Sequence, residues 1–220
     1  CTHPCRWKYA VVEETRPGEY MPVYENERGT YIFNSKDLCM IEHIPELVRA
    51  GIDSFKIEGR MKTALYVATV ARTYRKAIDD YFISQDLYEK NMPWYLEQIV
   101  GCTYRQFTTG FFFGKPDEHT QIYDNNTYVK EYTYLGIVGE HSDKGYRLEQ
   151  RNKFSVGEEI EVMKPDGENL LAVVQSIRDE DGNEMESAPH PKQVLYIDIG
   201  RPLARFDVLR RQEKEEQADG

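Results

Sequence analysis

The chain lacks any apolar run long enough to cross a membrane. No stretch of its 220 residues approaches the roughly 18 consecutive apolar residues that a transmembrane helix needs. A secretory signal is also not visible, because the chain opens on Cys1-Thr2-His3-Pro4-Cys5 instead of a basic segment followed by an apolar one. These two absences predict a cytoplasmic protein.

The common peptidase signatures are missing as well. The sequence contains neither His-Glu-x-x-His, which binds zinc in many metallopeptidases, nor Gly-x-Ser-x-Gly, which carries a serine nucleophile. Its histidines are scattered along the chain at His3, His43, His119, His141 and His190. The sequence therefore gives a peptidase function little support.

Cysteine is scarce, with four residues in the whole chain. That number is too low for a disulfide-stapled scaffold of this size. The Cys1-x-x-x-Cys5 spacing suits metal or cluster ligation, and Cys39 could supply a third thiolate. Arg6 and His3 lie close in sequence and would favour the thiolate form.

Two other interpretations of the cysteines stay open. A tetrahedral zinc site could be built from Cys1, Cys5 and Cys39 with His3 or His43. The three cysteines could also be unrelated core residues, since buried cysteine is common. No role is assigned to Cys102.

Basic residues are fewer than acidic ones, which gives the chain a formal net charge of −10 and an isoelectric point of about 5.1. This balance argues against a nonspecific nucleic-acid binder, although a local basic patch is compatible with it. Arg72, Arg75 and Lys76 form the basic face of a predicted helix. We interpret that face as solvated surface in preference to an RNA-binding helix.

Residues 1–126 alternate predicted strands and helices, the order typical of part of a (β/α) barrel-like catalytic domain. The predicted elements are a hairpin of Tyr20–Asn26 and Gly29–Asn34, a helical turn over Lys36–Met40, a helix around Ile44–Val48, a strand over Ile52–Glu58, and helices over Thr63–Phe82 and Met92–Val100. The run Phe111-Phe112-Phe113 is predicted to be core, with base stacking as the alternative.

Residues 127–211 change to short alternating strands, a pattern that predicts a small β-barrel domain. Asp-Lys-Gly, Pro-Asp-Gly and Asp-Gly-Asn turns separate these strands, which are predicted over Tyr132–Gly139, Gly145–Arg151, Glu158–Met163, Leu170–Arg178 and Val194–Ile199. Phe154–Val162 resembles the second-domain barrel of translation elongation factors. The fold class is therefore α/β followed by β. Residues 212–220 are predicted to be an acidic disordered tail.

The segment Ser54–Lys62 carries the strongest functional signal. Its apolar alternation is followed by a glycine and a helix, with Lys56, Glu58 and Arg60 around the turn. In α/β proteins such a strand end gathers backbone N–H groups and charges around ligands. We therefore predict that these three residues are catalytic, while an ordinary surface turn remains the alternative.

Three stretches of the chain carry a family resemblance. They are the segment IDSFKIEGRMKTALYVATVARTYRKAID, the stretch CTHPCRWKY before it and the stretch FTTGFFFGKP after it. All three resemble the collagenase-like peptidase family U32. Some members of that family are named proteases, others resemble factors that hydroxylate a tRNA wobble uridine or ribosomal RNA, and others act in quinone hydroxylation. The resemblance implies that this chain is the C-terminal portion of a longer enzyme.

The resemblance also implies a cofactor and a ranking of functions. Some members resemble carriers of a 4Fe–4S cluster held by four cysteines. Two of these positions match Cys1 and Cys39, Cys5 matches a cysteine used in some relatives, and the remaining ligand would lie upstream. Arg6, next to Cys5 in sequence, is the predicted cofactor-binding residue. RNA hydroxylation ranks first, with Lys56 and Arg60 holding an anionic substrate or donor and Glu58 orienting them or acting as acid or base. A metal-dependent peptidase acting on protein ranks second, and a non-catalytic binding module third. A paired subunit is also implied.

Overall fold

The structure is a computed structural model that describes residues 10–12, 17–18, 20–26, 29–31, 36–60, 62–102, 106–115 and 132–213. The helices are α1 (Ile44–Arg49), α2 (Ala64–Ile83) and α3 (Gln85–Val100), preceded by a 3₁₀ turn over Ile41–His43. The strands are β1 (Ala10–Val12), β2 (Tyr20–Pro22), β3 (Tyr24–Asn26), β4 (Gly29–Tyr31), β5 (Asp37–Leu38), β6 (Phe107–Thr108), β7 (Tyr132–Ser142), β8 (Gly145–Gln150), β9 (Phe154–Ser155), β10 (Glu159–Met163), β11 (Asn169–Val173), β12 (Ser176–Arg178), β13 (Glu184–Met185), β14 (Ser187–Ala188), β15 (Val194–Asp198) and β16 (Val208–Gln212).

The chain divides into two compact units, one of residues 1–40 and 105–127 and the other of residues 41–104 and 128–220. The domain boundaries predicted at residues 126 and 211 remain a prediction, and residues 214–220 lie outside the described part of the chain. Within the described ranges, no helix has both the length and the apolar character of a membrane span.

The first unit contains small strand pairs. The predicted hairpin is confirmed where β3 pairs with β4, whereas β2 pairs with β1. The helical turn predicted over Lys36–Met40 is wrong, because β5 lies parallel to β6 and the Asp37 N–H donates to the Gln106 carbonyl at 2.8 Å. The partner strand is far away in sequence, so a local pattern could not reveal it.

The helices of the second unit follow their capping residues. The Thr63 hydroxyl accepts a hydrogen bond from the Tyr66 N–H at 3.2 Å, which places the start of α2 as predicted. Helix α3 begins seven residues before the predicted Met92, because the Ser84 hydroxyl caps it by accepting from the Leu87 N–H at 3.1 Å. Pro93 lies inside this helix.

A large antiparallel sheet dominates the second unit. Its strand order is β11-β10-β16-β7-β8-β15-β12-β13. The strands predicted near Tyr132–Gly139, Gly145–Arg151, Glu158–Met163 and Val194–Ile199 are all present. The predicted strand over Leu170–Arg178 is divided into β11 and β12, and β16 was not predicted.

The sheet is open in its hydrogen-bonded order, so a closed barrel is not confirmed. Strands β11 and β13 lie at its two ends. Val174 and Gln175 join β11 to β12, and their N–H groups donate to the Glu158 carbonyl at 3.0 Å and to the Asp198 carbonyl at 2.8 Å. The chain thus passes from one end of the sheet toward the other, around a core that holds Leu135, Leu148, Ile160, Ile177, Leu195, Ile197 and Leu209.

The (β/α) barrel-like part is not confirmed either. Residues 52–58, predicted as a strand, form no strand in the structure, because no other described segment pairs with their backbone. The described residues contain one parallel strand pair, β5 with β6. The fold that the structure does show is mixed α and β, with three helices and a large antiparallel sheet.

Candidate functional site

The predicted catalytic segment follows α1 as an irregular loop. Helix α1 ends where Gly51 adopts a left-handed backbone with φ of 75°, and the Gly51 N–H donates to the Val48 carbonyl at 3.0 Å. A residue with a Cβ is strained in this conformation, which explains the glycine at the end of the helix. The chain then runs through residues 52–60 toward α2.

A turn built by Glu58 and Gly59 closes the loop. The Glu58 carboxylate accepts a hydrogen bond from the Arg60 backbone N–H at 2.9 Å, and the Lys62 N–H donates to the Gly59 carbonyl at 2.9 Å. A Cβ on Gly59 would lie 2.6 Å from Cγ2 of Val67 on α2, so only glycine lets the loop approach the helix this closely.

The structure brings Lys56, Glu58 and Arg60 together in this one loop. All three side chains are exposed. Within the described part of the chain, neither Lys56 nor Arg60 forms an ion pair with a carboxylate. Both cations are therefore available to an anionic ligand, and the guanidinium can bind a phosphate or carboxylate with two hydrogen bonds.

A cavity of about 600 Å³ lies beside the loop, within the second unit. Phe55 and Ile57 line it from the loop, while Tyr74 and Ile78 line it from α2. The intervening Lys56 does not line the cavity. The apolar residues Phe55 and Ile57 therefore line the cavity on either side of Lys56, although Asp53 also lines it.

The predicted metal ligands are only partly covered by the structure. Cys1 and Cys5, together with the predicted cofactor residue Arg6, lie outside the described residues. Cys39 lies in the first unit, directly after β5, half-buried, and its N–H donates to the Thr108 carbonyl at 3.0 Å. His43, the alternative zinc ligand, directly precedes α1 in the second unit.

A cluster site is not formed by the described residues alone. Nowhere in them do three or more His, Cys, Asp or Glu side chains converge as metal ligands, and Cys39 is one thiol of the predicted set. Cys102 is a structural residue: its Sγ lies 3.5 Å from the Gln98 carbonyl, and burial raises the pKa of its thiol. A buried neutral thiol of this kind is a poor metal ligand.

Sequence reasoning missed a buried charge network between α2, α3 and the sheet. Arg72, predicted on a solvated face, is buried and donates to the Gln98 side-chain oxygen at 2.6 Å. Arg210, also buried, donates to the same oxygen at 3.3 Å and pairs with Glu161 at 2.5 Å. Arg72 lies between Thr69 and Thr73 in α2, both of which are also buried, and these small uncharged neighbours are the sequence signal that could have indicated burial.

The phenylalanine run was also predicted wrongly. Phe111, Phe112 and Phe113 are 72%, 53% and 60% exposed, so they do not belong to a core in this structure. The run lies in a turn that follows Gly110, whose φ of 58° is left-handed. Because a turn points three successive side chains in different directions, they cannot all pack into one core.

Comparison with known families covers both halves of the chain. The sequence model of Peptidase family U32 matches residues 1–122, and that of the Peptidase family U32 C-terminal domain matches residues 130–210. A solved structure of the C-terminal domain of a U32 peptidase from Geobacillus thermoleovorans is 34% identical, with 36% of this chain and 99% of that chain covered and a TM-score of 0.33. At that TM-score the structural likeness carries no argument about the fold.

Two curated relatives extend over nearly the whole chain. The tRNA hydroxylation protein P1 of Bacillus subtilis is 35% identical over 96% of this chain and 50% of its own length. A protein named Collagenase from Porphyromonas gingivalis is 29% identical over 99% of this chain and 58% of its own length. The chain thus spans about half the length of the curated relatives that it matches. Since the family's sequence model alone matches 122 consecutive residues, more than half of the chain, this protein belongs to Peptidase family U32.

Proposed function

We propose that the chain is part of an enzyme that hydroxylates RNA, with a tRNA wobble uridine or ribosomal RNA as substrate. The observation that carries the proposal is the loop of residues 52–60, which presents two cations that pair with no carboxylate among the described residues and lies beside a cavity of about 600 Å³. RNA is polyanionic, and exposed Lys and Arg side chains bind its phosphates. The name of the Bacillus subtilis relative supports the same reaction class.

The roles of the three loop residues follow from their contacts. Lys56 and Arg60 would hold an anionic group of the substrate or of the oxygen donor, Arg60 through paired hydrogen bonds. Glu58 already accepts a hydrogen bond from the Arg60 N–H, so its carboxylate fixes the turn that presents both cations. We therefore propose a positioning role for Glu58 in preference to proton transfer.

The cofactor is a separate proposal, based on the cysteine pattern. Cys1, Cys5 and Cys39 would ligate a 4Fe–4S cluster together with a ligand from elsewhere, or zinc as the alternative. Such a cluster would supply electron-transfer chemistry when bound. A paired subunit would be a further requirement of the complete enzyme.

The loop is tested by replacing its cations in the full-length enzyme. Lys56→Ala and Arg60→Ala should each lower tRNA hydroxylation by about 100-fold, because each removes a charge that orients the reactants. The melting temperature should stay near wild type, since both side chains are exposed. Hydroxylated uridine is quantified by mass spectrometry of digested tRNA, and Lys153→Ala, an exposed lysine of the sheet domain, is the matched control. Wild-type activity in both loop variants would show that the loop is only structural.

The cofactor is tested by iron and acid-labile sulfide content of anaerobically purified full-length protein. Cys39→Ser should lower both to well below wild type and bleach the visible absorption, because a thiolate ligand is lost. Cys102→Ser is the control, because its thiol is buried beside Gln98. Unchanged iron in Cys39→Ser would remove Cys39 from the ligand set.

A peptidase acting on protein is the second candidate. Its support is the relative named Collagenase, which matches 99% of this chain. The two candidates are separated by incubating the same purified enzyme with gelatin and with unmodified tRNA. Gelatin cleavage that Lys56→Ala abolishes, without any tRNA hydroxylation, would favour the peptidase.

A further inference from the structure

A second pocket lies beside α2 where the helix crosses the sheet domain, and it shares Ala71 and Arg75 with the cavity beside the loop. Its volume is about 340 Å³, and its floor is apolar, formed by Ala68, Ala71, Met163, Pro165 and Val208. Arg72, Arg75, Lys164 and Phe206 complete the lining. A small cavity with an apolar floor and a few charged side chains is the usual form of a ligand site.

The positive charge at the wall of this pocket is not balanced. Arg72 and Arg210 are both buried, and Glu161 forms its ion pair with Arg210. Arg72 instead donates to three neutral oxygens, on Lys164, Asn169 and Gln98, at 3.1, 2.8 and 2.6 Å. Its Nε is buried and has no hydrogen-bond partner.

The pKa of the Arg72 guanidinium reflects this environment. Burial, followed by repulsion from Arg210, lowers its pKa to about 10, although Glu161 and Asp166 partly offset the effect. A guanidinium remains protonated at neutral pH. The pocket therefore has a positive charge at its wall that a bound anion would stabilise.

An aromatic ring stands at the rim of the pocket under backbone strain. Phe206 is 61% exposed and has a φ of 74°, a left-handed conformation that a bulky residue rarely adopts. The turn holds it there, since the Phe206 N–H donates to the Val138 carbonyl at 2.8 Å and the buried Asp207 carboxylate accepts from the Ala204 N–H at 2.9 Å. Strain of this kind collects at binding sites.

Cations surround the exposed ring. The Arg205 guanidinium lies 4.6 Å from the centre of the Phe206 ring and 3.1 Å from the Glu140 carboxylate. Arg75 pairs with Asp79 at 2.5 Å in an exposed contact within α2, and Lys164 pairs with the buried Asp207 at 3.3 Å. The exposed pairs of Arg75 and Arg205 are weak, so both side chains can exchange their carboxylates for a phosphate.

We infer that this pocket binds one unpaired nucleotide of the RNA substrate, with the base stacked on Phe206 and the phosphate held by Arg72 and Arg75. The inference rests on the proposed function, because it takes RNA as the substrate. Proteins recognise single-stranded RNA by stacking bases on aromatic or Arg side chains and by contacting phosphates with cations. The pocket offers both groups within one cavity.

The dimensions and the overall charge agree with a single nucleotide. A cavity of about 340 Å³ is near the lower limit of ligand sites, about 300–1,000 Å³, and has no room for a duplex. The chain as a whole carries a net charge of −10, so RNA would be repelled from most of its surface. A site with an unbalanced buried cation directs the RNA to one place.

The ring is tested by tRNA binding to the 220-residue chain, measured by fluorescence anisotropy with end-labelled tRNA. Phe206→Leu keeps an apolar side chain on the same backbone but removes the π face, and should weaken binding about tenfold. Tyr20→Leu is the matched control, because Tyr20 is also exposed and aromatic and lies in the other unit. Equal affinity of Phe206→Leu and wild type would overturn the inference.

The phosphate contact is tested by the salt dependence of the same binding. Arg75→Gln should reduce the slope of log affinity against log salt concentration by about 0.7, the value for one phosphate contact with a single strand. Arg49→Gln is a closely matched control, since Arg49 and Arg75 are both 61% exposed and both form exposed ion pairs within a helix. Identical slopes for the two variants would also overturn the inference.

The remaining outcomes decide between sources of the nucleotide and between the two proposals. Failure of the wild-type chain to bind tRNA, or binding of uridine monophosphate without any binding of RNA, would overturn the inference. Weaker tRNA binding in Phe206→Leu and Arg75→Gln supports it even if the full-length enzyme fails to hydroxylate tRNA. If Lys56→Ala abolishes hydroxylation while Phe206→Leu binds tRNA as tightly as wild type, the result supports the proposed function and overturns the inference about the pocket.

Discussion

The loop of residues 52–60 and the sheet of β7–β16 belong to the same compact unit but are held in different ways. The sheet has a continuous core with fully buried side chains such as Leu135 and Leu209, and its strands are hydrogen-bonded along their length. The loop lacks strand pairing, and its order comes from one carboxylate, one glycine and the apolar contacts of Phe55 and Ile57.

This difference indicates that the sheet provides stability and that the loop presents the charged side chains. A segment with many buried contacts resists change, whereas an exposed segment with few contacts can present charges to a ligand at low energetic cost. Lys56 and Arg60 lie in the segment with few contacts. The second pocket lies between these extremes, because its charged wall is buried while its aromatic rim is exposed.

The largest expected effect is on the core of the sheet. Leu209 is completely buried in β16, between β7 and β10, so Leu209→Ala should lower the free energy of unfolding by about 2–5 kcal/mol. Ile57→Ala in the loop should cost less than about 1 kcal/mol, because Ile57 is 37% exposed. Urea denaturation followed by circular dichroism measures both, and equal losses would remove the contrast between loop and sheet.

A smaller effect is expected in the buried charge network. Glu161→Gln would leave Arg72 and Arg210 without a nearby paired carboxylate, and should lower the free energy of unfolding by about 2 kcal/mol. Breaking a fully buried pair costs about 3–5 kcal/mol, and the loss is expected to be smaller here because the Glu161 side chain is 13% exposed. Glu159→Gln on the same strand is the control, since Glu159 is exposed. The two variants are compared by urea denaturation, and an equal stability would show that the network contributes nothing.

The smallest expected effect is a difference in acid sensitivity. Burial alone would raise the pKa of Asp80, but hydrogen bonds from Tyr95, Asn91 and Lys76 outweigh it and lower that pKa. The folded state therefore favours the carboxylate, and its stabilisation is complete above the unfolded pKa of about 3.9 and is lost as the pH falls through the folded-state pKa.

Asp80→Asn should consequently flatten the fall of stability between about pH 4 and pH 2, compared with wild type. Thermal unfolding of Asp80→Asn and of wild type across this pH range measures the difference. A wild-type profile in Asp80→Asn would mean that the buried carboxylate does not contribute to acid stability.

Elements with strong local signals were predicted well. The periodic apolar residues after Thr63 predicted α2, and the turns with aspartate and glycine predicted the successive strands of the sheet domain. The family could also be recognised from the sequence, since the motif around Lys56–Arg60 is contiguous along the chain. In these cases the physical cause acts between residues that are neighbours along the chain.

Elements that depend on distant partners were predicted poorly. Residues 52–58 have the alternation of a strand but find no partner among the described residues, and β5 became a strand because β6 pairs with it. Arg72 looked like a solvated residue on the helical wheel, yet Gln98 and Asn169 come from other elements and enclose it. Helical period alone does not say which neighbour covers a helix face.

The sequence by itself determined the family, helix α2 and the turns of the sheet domain. Only the tertiary structure decided that residues 52–58 form a loop instead of the predicted strand, that Arg72 is buried beside Arg210 and that Phe206 stands exposed at the rim of a pocket. Capping and turn formation act over a few residues and can be read from the chain. Burial and charge balance depend on side chains that are about 100 residues apart in sequence and meet only in the folded protein.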